Sequence, residues 1–239
     1  MTLTTRSLLG LVTATAILVG LVGSARAESY RYKLTLAVNT PEGIKRGSSI
    51  VEVTFRNVSI PARGTMHDLR GEALYLDLGP GARPLIALLT RRLQPYSREE
   101  RPWTPDGGPG IARMSRLYGI PLSADGMDTI AGIARARGPR TITGDELPDL
   151  VTFENVDDPK SVLSVNPNDL PATLGSAVSW NQITLESTDE PITTGIEKKL
   201  PWLPAYYRGM LDGERYSAKK TLANTLSAAD FQQPGDSKK

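Results

Sequence analysis

Three short runs of alternating residues set the frame for this chain. Tyr30, Tyr32, Leu34, Leu36 and Val38 interleave with Arg31, Lys33, Thr35, Ala37 and Asn39. Side chains of a strand point to opposite faces in turn, so period two with one apolar side marks a half-buried strand. Val51, Val53 and Phe55 repeat the pattern against Glu52, Thr54 and Arg56; within Glu72–Leu78, Leu74, Leu76 and Leu78 stand against Ala73, Tyr75 and Asp77. Asn39-Thr40-Pro41-Glu42-Gly43 is turn chemistry between the first two runs, and Gly79-Pro80-Gly81 ends the third. No long helical period intervenes. The runs therefore predict an antiparallel meander with one wet face.

The remainder reads as shorter pieces. After Pro84, Leu85, Leu88, Leu89 and Arg92 fit a short helix, and a fourth strand fits equally well. Gln94 to Gly110 holds Pro95, Pro102, Pro105 and Pro109 with three glycines, and reads as a long loop, functional or disordered. Pro121 to Arg137 has helical spacing through Leu122, Met127, Ile130 and Ile133, and Gly138-Pro139 stops it. Leu150 to Val156 returns to strand character. Asn166 to Leu170 reads as a cap and helical turn ending at Gly175. Val178 and Trp180 share one parity, Ile183 and Leu185 the other, so a bulge is expected between them. Thr193 to Leu203 opens as a turn and a short helix stopped by Pro201, and Gln232–Lys239 reads as a frayed polar tail. Glycine and proline, 22 and 18 of 239 residues, exceed the usual share of roughly 12 % and favour a loop-rich β fold. The fold expected is α+β: one domain over residues 28–231, mainly antiparallel sheet, with short helices packed on one face.

Residues 1–27 have the layout of an export signal. Arg6 precedes an apolar run from Leu8 to Val22, and Ser24-Ala25-Arg26-Ala27 offers a small-x-small cleavage site. A retained anchor is the rival reading, but a spanning helix wants about 20 strongly apolar residues, and Gly10, Thr13, Thr15 and Gly20 dilute this run. Cleavage after Ala27 predicts a periplasmic or secreted protein with no membrane span in the mature chain. Arg6 and Arg26 account for the whole formal charge of +2, so the mature chain is neutral and gives no sign of a nucleic-acid footprint. There is no cysteine. Thiolate catalysis, zinc–thiolate and iron–sulfur sites are excluded, and the fold must rest on its core rather than on disulfides.

Few side chains carry chemistry. His67, the single histidine, adjoins Asp68, but no G-x-S-x-G elbow supplies a triad serine, and a loop histidine is the simpler reading. Asp145, Glu146 and Asp149, and the pair Asp157 and Asp158, lack the calcium-loop pattern and read as turns and caps. Gly107-Gly108-Pro109-Gly110 lacks the phosphate-loop spacing. No catalytic residue, metal site or cofactor is expected. The aromatic residues are few, and two groups of them lie beside cations: Trp103 in the proline-rich loop, and Lys198, Lys199, Trp202, Tyr206, Tyr207 and Arg208 near the C-terminus. Rings beside cations make contact surfaces for proteins or glycans. They are the candidate binding residues, with Trp202 clamping the C-terminal segment onto the sheet as the alternative.

Leu150-Val151-Thr152-Phe153, followed by Asp158-Pro159, Asp169-Leu170 and Gly175, then by Thr194-Gly195-Ile196-Glu197 and Leu200-Pro201-Trp202-Leu203, resembles a pattern found in exported bacterial proteins of no assigned function. The likeness covers about the last third of the chain. It implies export and brings no activity. The expected function is a non-enzymatic binding protein of the cell envelope, taking an envelope protein or a glycan. An exported hydrolase and an inhibitor or immunity-type partner of a secreted toxin are the alternatives.

Overall fold

The structure is a computed structural model that describes residues 27–57, 65–93, 103, 107–124, 126–215 and 221–233. In chain order its elements are β1 (Ala27–Thr40), β2 (Gly43–Asn57), β3 (Thr65–Glu72), β4 (Leu74–Leu76), β5 (Leu85–Ala87), α1 (Ile111–Tyr118), α2 (Met127–Arg135), β6 (Arg140–Thr141), β7 (Leu150–Phe153), β8 (Val162–Val165), α3 (Pro171–Leu174), β9 (Ser179–Thr188) and β10 (Gln232–Gln233). Two antiparallel sheets result. One has the order β10-β3-β2-β1-β9-β6, the other β4-β5-β7-β8.

The alternating runs place the layers. In β1 the even residues Tyr30 to Val38 are buried; the odd residues carry Arg31 and Lys33 on the outer face, opposite Glu52 and Ile50 of β2. The inner face is covered by α1 and α2, through Met114, Met127, Ile130 and Ile133, and by the second sheet, through Leu74, Leu76, Leu85, Ala87, Leu150 and Val165. The opposite parity of that second sheet, Ile86, Val151, Phe153 and Val162, packs under a C-terminal cover that includes Ile196, Leu200, Leu203, Leu211, Leu226 and Phe231. A sheet buried on both faces loses its polar alternation, which is why Leu150-Val151-Thr152-Phe153 is buried throughout.

Gly71 makes the passage between the sheets. Its φ is +144°, and a Cβ there would lie 3.0 Å from the Val51 backbone; both conditions favour glycine. The chain leaves the first sheet at Glu72, Ala73 donates its N–H to Phe231 O at 2.7 Å, and β4 starts the second sheet. The single strand expected over Glu72–Leu78 is thus the end of one strand and the start of another. The bulge falls where the phase slip put it: Ala37 faces Gln182 and Val38 faces Trp180, leaving Asn181 extra.

One open reading is decided and three others change. The Pro84 segment is the strand β5, paired with β4 and β7. The helix expected from Pro121 begins only at Met127, because Gly126 takes φ +76°, and Leu122, placed in the apolar stripe, is 62 % exposed. Helix α1 was not anticipated. Gln232 and Gln233, assigned to a frayed tail, pair with Glu72 and Gly71 as β10. Most of the Gln94–Gly110 loop lies outside the described residues, as do residues 1–26. Among the described residues no helix is long and apolar enough to cross a membrane.

Candidate functional site

The corner after Gly71 puts one carboxylate in a demanding place. Glu72 is only 3 % exposed. A buried carboxylate is tolerated when donors surround it. Here Oε1 accepts from the Gly195 N–H at 2.9 Å and the Gln232 side-chain amide at 2.8 Å, and Oε2 accepts from the Ile196 N–H at 2.8 Å. The two backbone donors open the 3-10 turn Ile196–Lys198, whose first N–H groups have no partner within the turn. Glu72 therefore ties three distant segments into one corner: β3, the start of the cover, and β10.

Beside this corner, on the outer face of the six-stranded sheet, is a cleft of about 520 Å³. Arg31, Arg70, Gly71 and Glu72 form one wall, Pro191 to Gly195 the other, and Glu197, Gln232 and Gln233 close the end. The second wall is stapled down. Arg31 binds Glu52 at 2.9 Å and the carbonyls of Asp189 and Glu190 at 3.3 and 3.2 Å. Lys33 binds Glu190 at 2.7 Å. Thr193 donates its N–H to Ile50 O and accepts the Ile50 N–H through its hydroxyl. The cleft is preformed by strand-like pairing rather than by a loop alone. A second cleft of about 380 Å³, at the end of the β1–β2 hairpin, is lined by Pro41, Leu78, Pro80, Ala82 and Leu174 among others.

Tyr207 links the first cleft to the cover. Its hydroxyl lies against Gln232 Oε1 and, at 3.1 Å, Glu197 Oε1, so one proton serves two acceptors in turn. Partial burial, then the hydrogen bond and charge of Glu197 and the charge of Glu72, push the phenol from 10.0 up to about 12. The folded state keeps its proton longer than the unfolded chain does. This stabilisation is whole below pH 10 and is lost as pH rises from about 10 towards 12. A spectrophotometric tyrosine titration of wild type and Tyr207→Phe is expected to differ by one phenol ionising near pH 12; a missing phenol with an ordinary midpoint would contradict the Glu197 contact.

The aromatic–cation residues are not gathered into one pocket. Trp103, expected on a surface loop, is 1 % exposed. Its ring meets Tyr32 edge-on at 5.4 Å, and its N–H bonds Leu89 O at 2.7 Å. It is a core residue, held by a bridge to Pro109. Trp202 is half-buried. It donates to Val156 O at 2.8 Å and packs on Phe153, Phe231 and Tyr206, which is the clamp alternative. Tyr206 is half-buried beside it. Lys198, Lys199, Tyr207 and Arg208 are exposed, and Lys199 stands 5.8 Å over the Tyr75 ring. His67, expected in a loop, is on β3 opposite Phe55, half-buried with its ring 5.8 Å from that phenyl. Asp68 faces the other side and pairs with Arg56 at 3.2 Å, so adjacent His67 and Asp68 form no dyad. Among the described residues no group of three or more His, Cys, Asp or Glu could hold a metal ion.

No family model, curated protein or solved structure matches the chain. The site therefore rests on its own geometry. Sequence reasoning missed Glu72, Arg70, Thr193 and Gln232. The one signal available was Thr194-Gly195-Ile196-Glu197, which lines the cleft and the turn that Glu72 holds.

Proposed function

We propose that this chain is an exported protein of the bacterial envelope that binds a partner in the cleft beside Glu72. The observation that carries the reading is how the buried carboxylates are spent. Glu72 holds three N–H donors. Asp149 Oδ2 accepts from the backbone N–H groups of Arg92 and Leu93. Asp230 accepts from Thr90, and from the Ser227 N–H and hydroxyl. A general acid or base must exchange a proton with its substrate. These three acids instead hold the backbone in place, while the groups left open along the cleft, such as Arg70 and Thr194, suit holding a ligand.

Export is supported by the apolar run from Leu8 to Val22, the Ser24–Ala27 site, the absence of cysteine and the resemblance of the last third to exported bacterial proteins. Cleavage after Ala27 removes a single residue from the β1 ladder, where Ala27 faces Arg56. No arrangement among the described residues favours the hydrolase or the toxin partner.

The test has two readouts. Expressed in a Gram-negative host, the protein is expected in the periplasmic fraction with Glu28-Ser29-Tyr30 as its N-terminus; a membrane fraction starting at Met1 would overturn export. Immobilised wild type is expected to retain an envelope component that Thr194→Trp, which fills the cleft from an exposed position, does not. Equal retention by both would overturn the cleft as the binding site.

A further inference from the structure

Across the outer face of the first sheet, one row of side chains has an incomplete charge pattern. Arg31 of β1 is directly opposite Glu52 of β2, and Glu52 is directly opposite Arg70 of β3. Directly opposed residues on one face are close enough for their charges to interact. Glu52 gives Oε2 to Arg31 Nε at 2.9 Å. Arg70, at the other end of the row, is exposed, and its side chain makes no hydrogen bond or ion pair with the described residues. The row is cation, anion, cation, and its outer cation lines the cleft. The acids that line the cleft with it are committed: Glu72 to Gly195, Ile196 and Gln232, and Glu197 to Tyr207.

We infer that the cleft takes a peptide bearing a carboxylate, with Arg70 as the group that selects it. This rests on the cleft being the recognition site. A guanidinium presents paired donors in the geometry a carboxylate accepts. A peptide fits better than a sugar for a second reason. Gly71 and Glu72, whose backbone is paired with β10, line the cleft together with the stretch Pro191 to Gly195, and no aromatic ring is among its described lining residues; a sugar ring is held chiefly by stacking on such a ring. The carboxylate has two sources, a chain end or an Asp or Glu side chain, and one experiment separates them.

Nitrogen-15-labelled protein, residues 28–239, is titrated with four alanine pentapeptides: one with a free C-terminus, its amide, a capped peptide with central Glu, and the same with Gln. Trigalacturonate is a fifth probe. Cross-peaks of Gly71, Thr193, Thr194, Gly195 and the Arg70 side chain are expected to move with at least one acidic peptide, with an apparent Kd of about 1 mM or tighter. The free-end peptide moving them alone assigns the chain end; the Glu peptide moving them assigns the side chain. The two amidated neutral peptides are expected to leave them in place. Arg70→Gln is expected to weaken the effect about tenfold, whereas Arg116→Gln, an exposed arginine on α1, leaves it unchanged. Equal binding of acidic and neutral peptides overturns the role of Arg70, and so does an unchanged Arg70→Gln. Shifts with trigalacturonate but with no peptide overturn the peptide and leave the cleft as a recognition site. No shift with any probe overturns the inference, while failure of the cleft itself is read separately from Thr194→Trp.

Discussion

Glu72→Ala is expected to lower the melting temperature by about 6–20 °C. Removing this carboxylate leaves the Gly195 and Ile196 N–H groups and the Gln232 amide without their acceptor in a buried corner. Each stranded buried donor costs about 1–3 kcal/mol, and with three neutral donors, two of them only part-buried, the sum is about 3–5 kcal/mol. For a domain of this size about 1 kcal/mol moves the midpoint by roughly 2–4 °C. Glu72→Gln retains one carbonyl oxygen but turns an NH2 towards donors, and is expected to fall between. The local signature is amide exchange. Gly195 and Ile196 should lose protection in Glu72→Ala before the β1–β2 ladder does. Uniform loss across both sheets would contradict a corner that acts locally.

Trp103→Ala is expected to cost about 3–5 kcal/mol, the range for emptying a large buried ring site. The ring is enclosed at 1 % exposure and packs on Tyr32. Its N–H bonds Leu89 O, which also accepts the Gly108 N–H at 3.0 Å. Because that carbonyl keeps a second donor, Trp103→Phe is expected to cost only about 1 kcal/mol beyond the small volume change. The pair of variants, measured by urea denaturation, separates a core residue from a contact residue. A surface tryptophan would give changes within about 0.5 kcal/mol for both.

These residues also explain how far the sequence could be read. β1 and β2 were legible because one face is buried and the other wet, so period two is written directly into residues 30–39 and 51–56. The bulge at Asn181 was legible for the same reason: a one-residue slip reverses parity. β3 was not, because His67-Asp68-Leu69-Arg70 sets only one apolar residue, Leu69, among polar ones. Helix α1 was missed because it has eight residues between Gly110 and Gly119, too few for periodicity to stand out, although Ile111, Met114 and Leu117 mark its buried side. The site was the least legible. Glu72 is a lone acid next to an apolar run, and its partners lie more than 120 residues away in Gly195, Ile196 and Gln232. Aromatic rings drew attention instead because they are scarce. In this fold Trp103 and Trp202 are spent on packing, and among the described aromatic residues Tyr207 reaches the cleft network.

We propose binding at the corner held by Glu72. The most direct measurement maps the envelope component retained by the wild-type protein onto nitrogen-15-labelled protein. Shifts at Gly71, Thr193, Thr194, Gly195 and Gln232 are the expected result. Shifts confined to Lys198, Lys199 and Arg208 on the exposed cover, with the cleft unmoved, would contradict it.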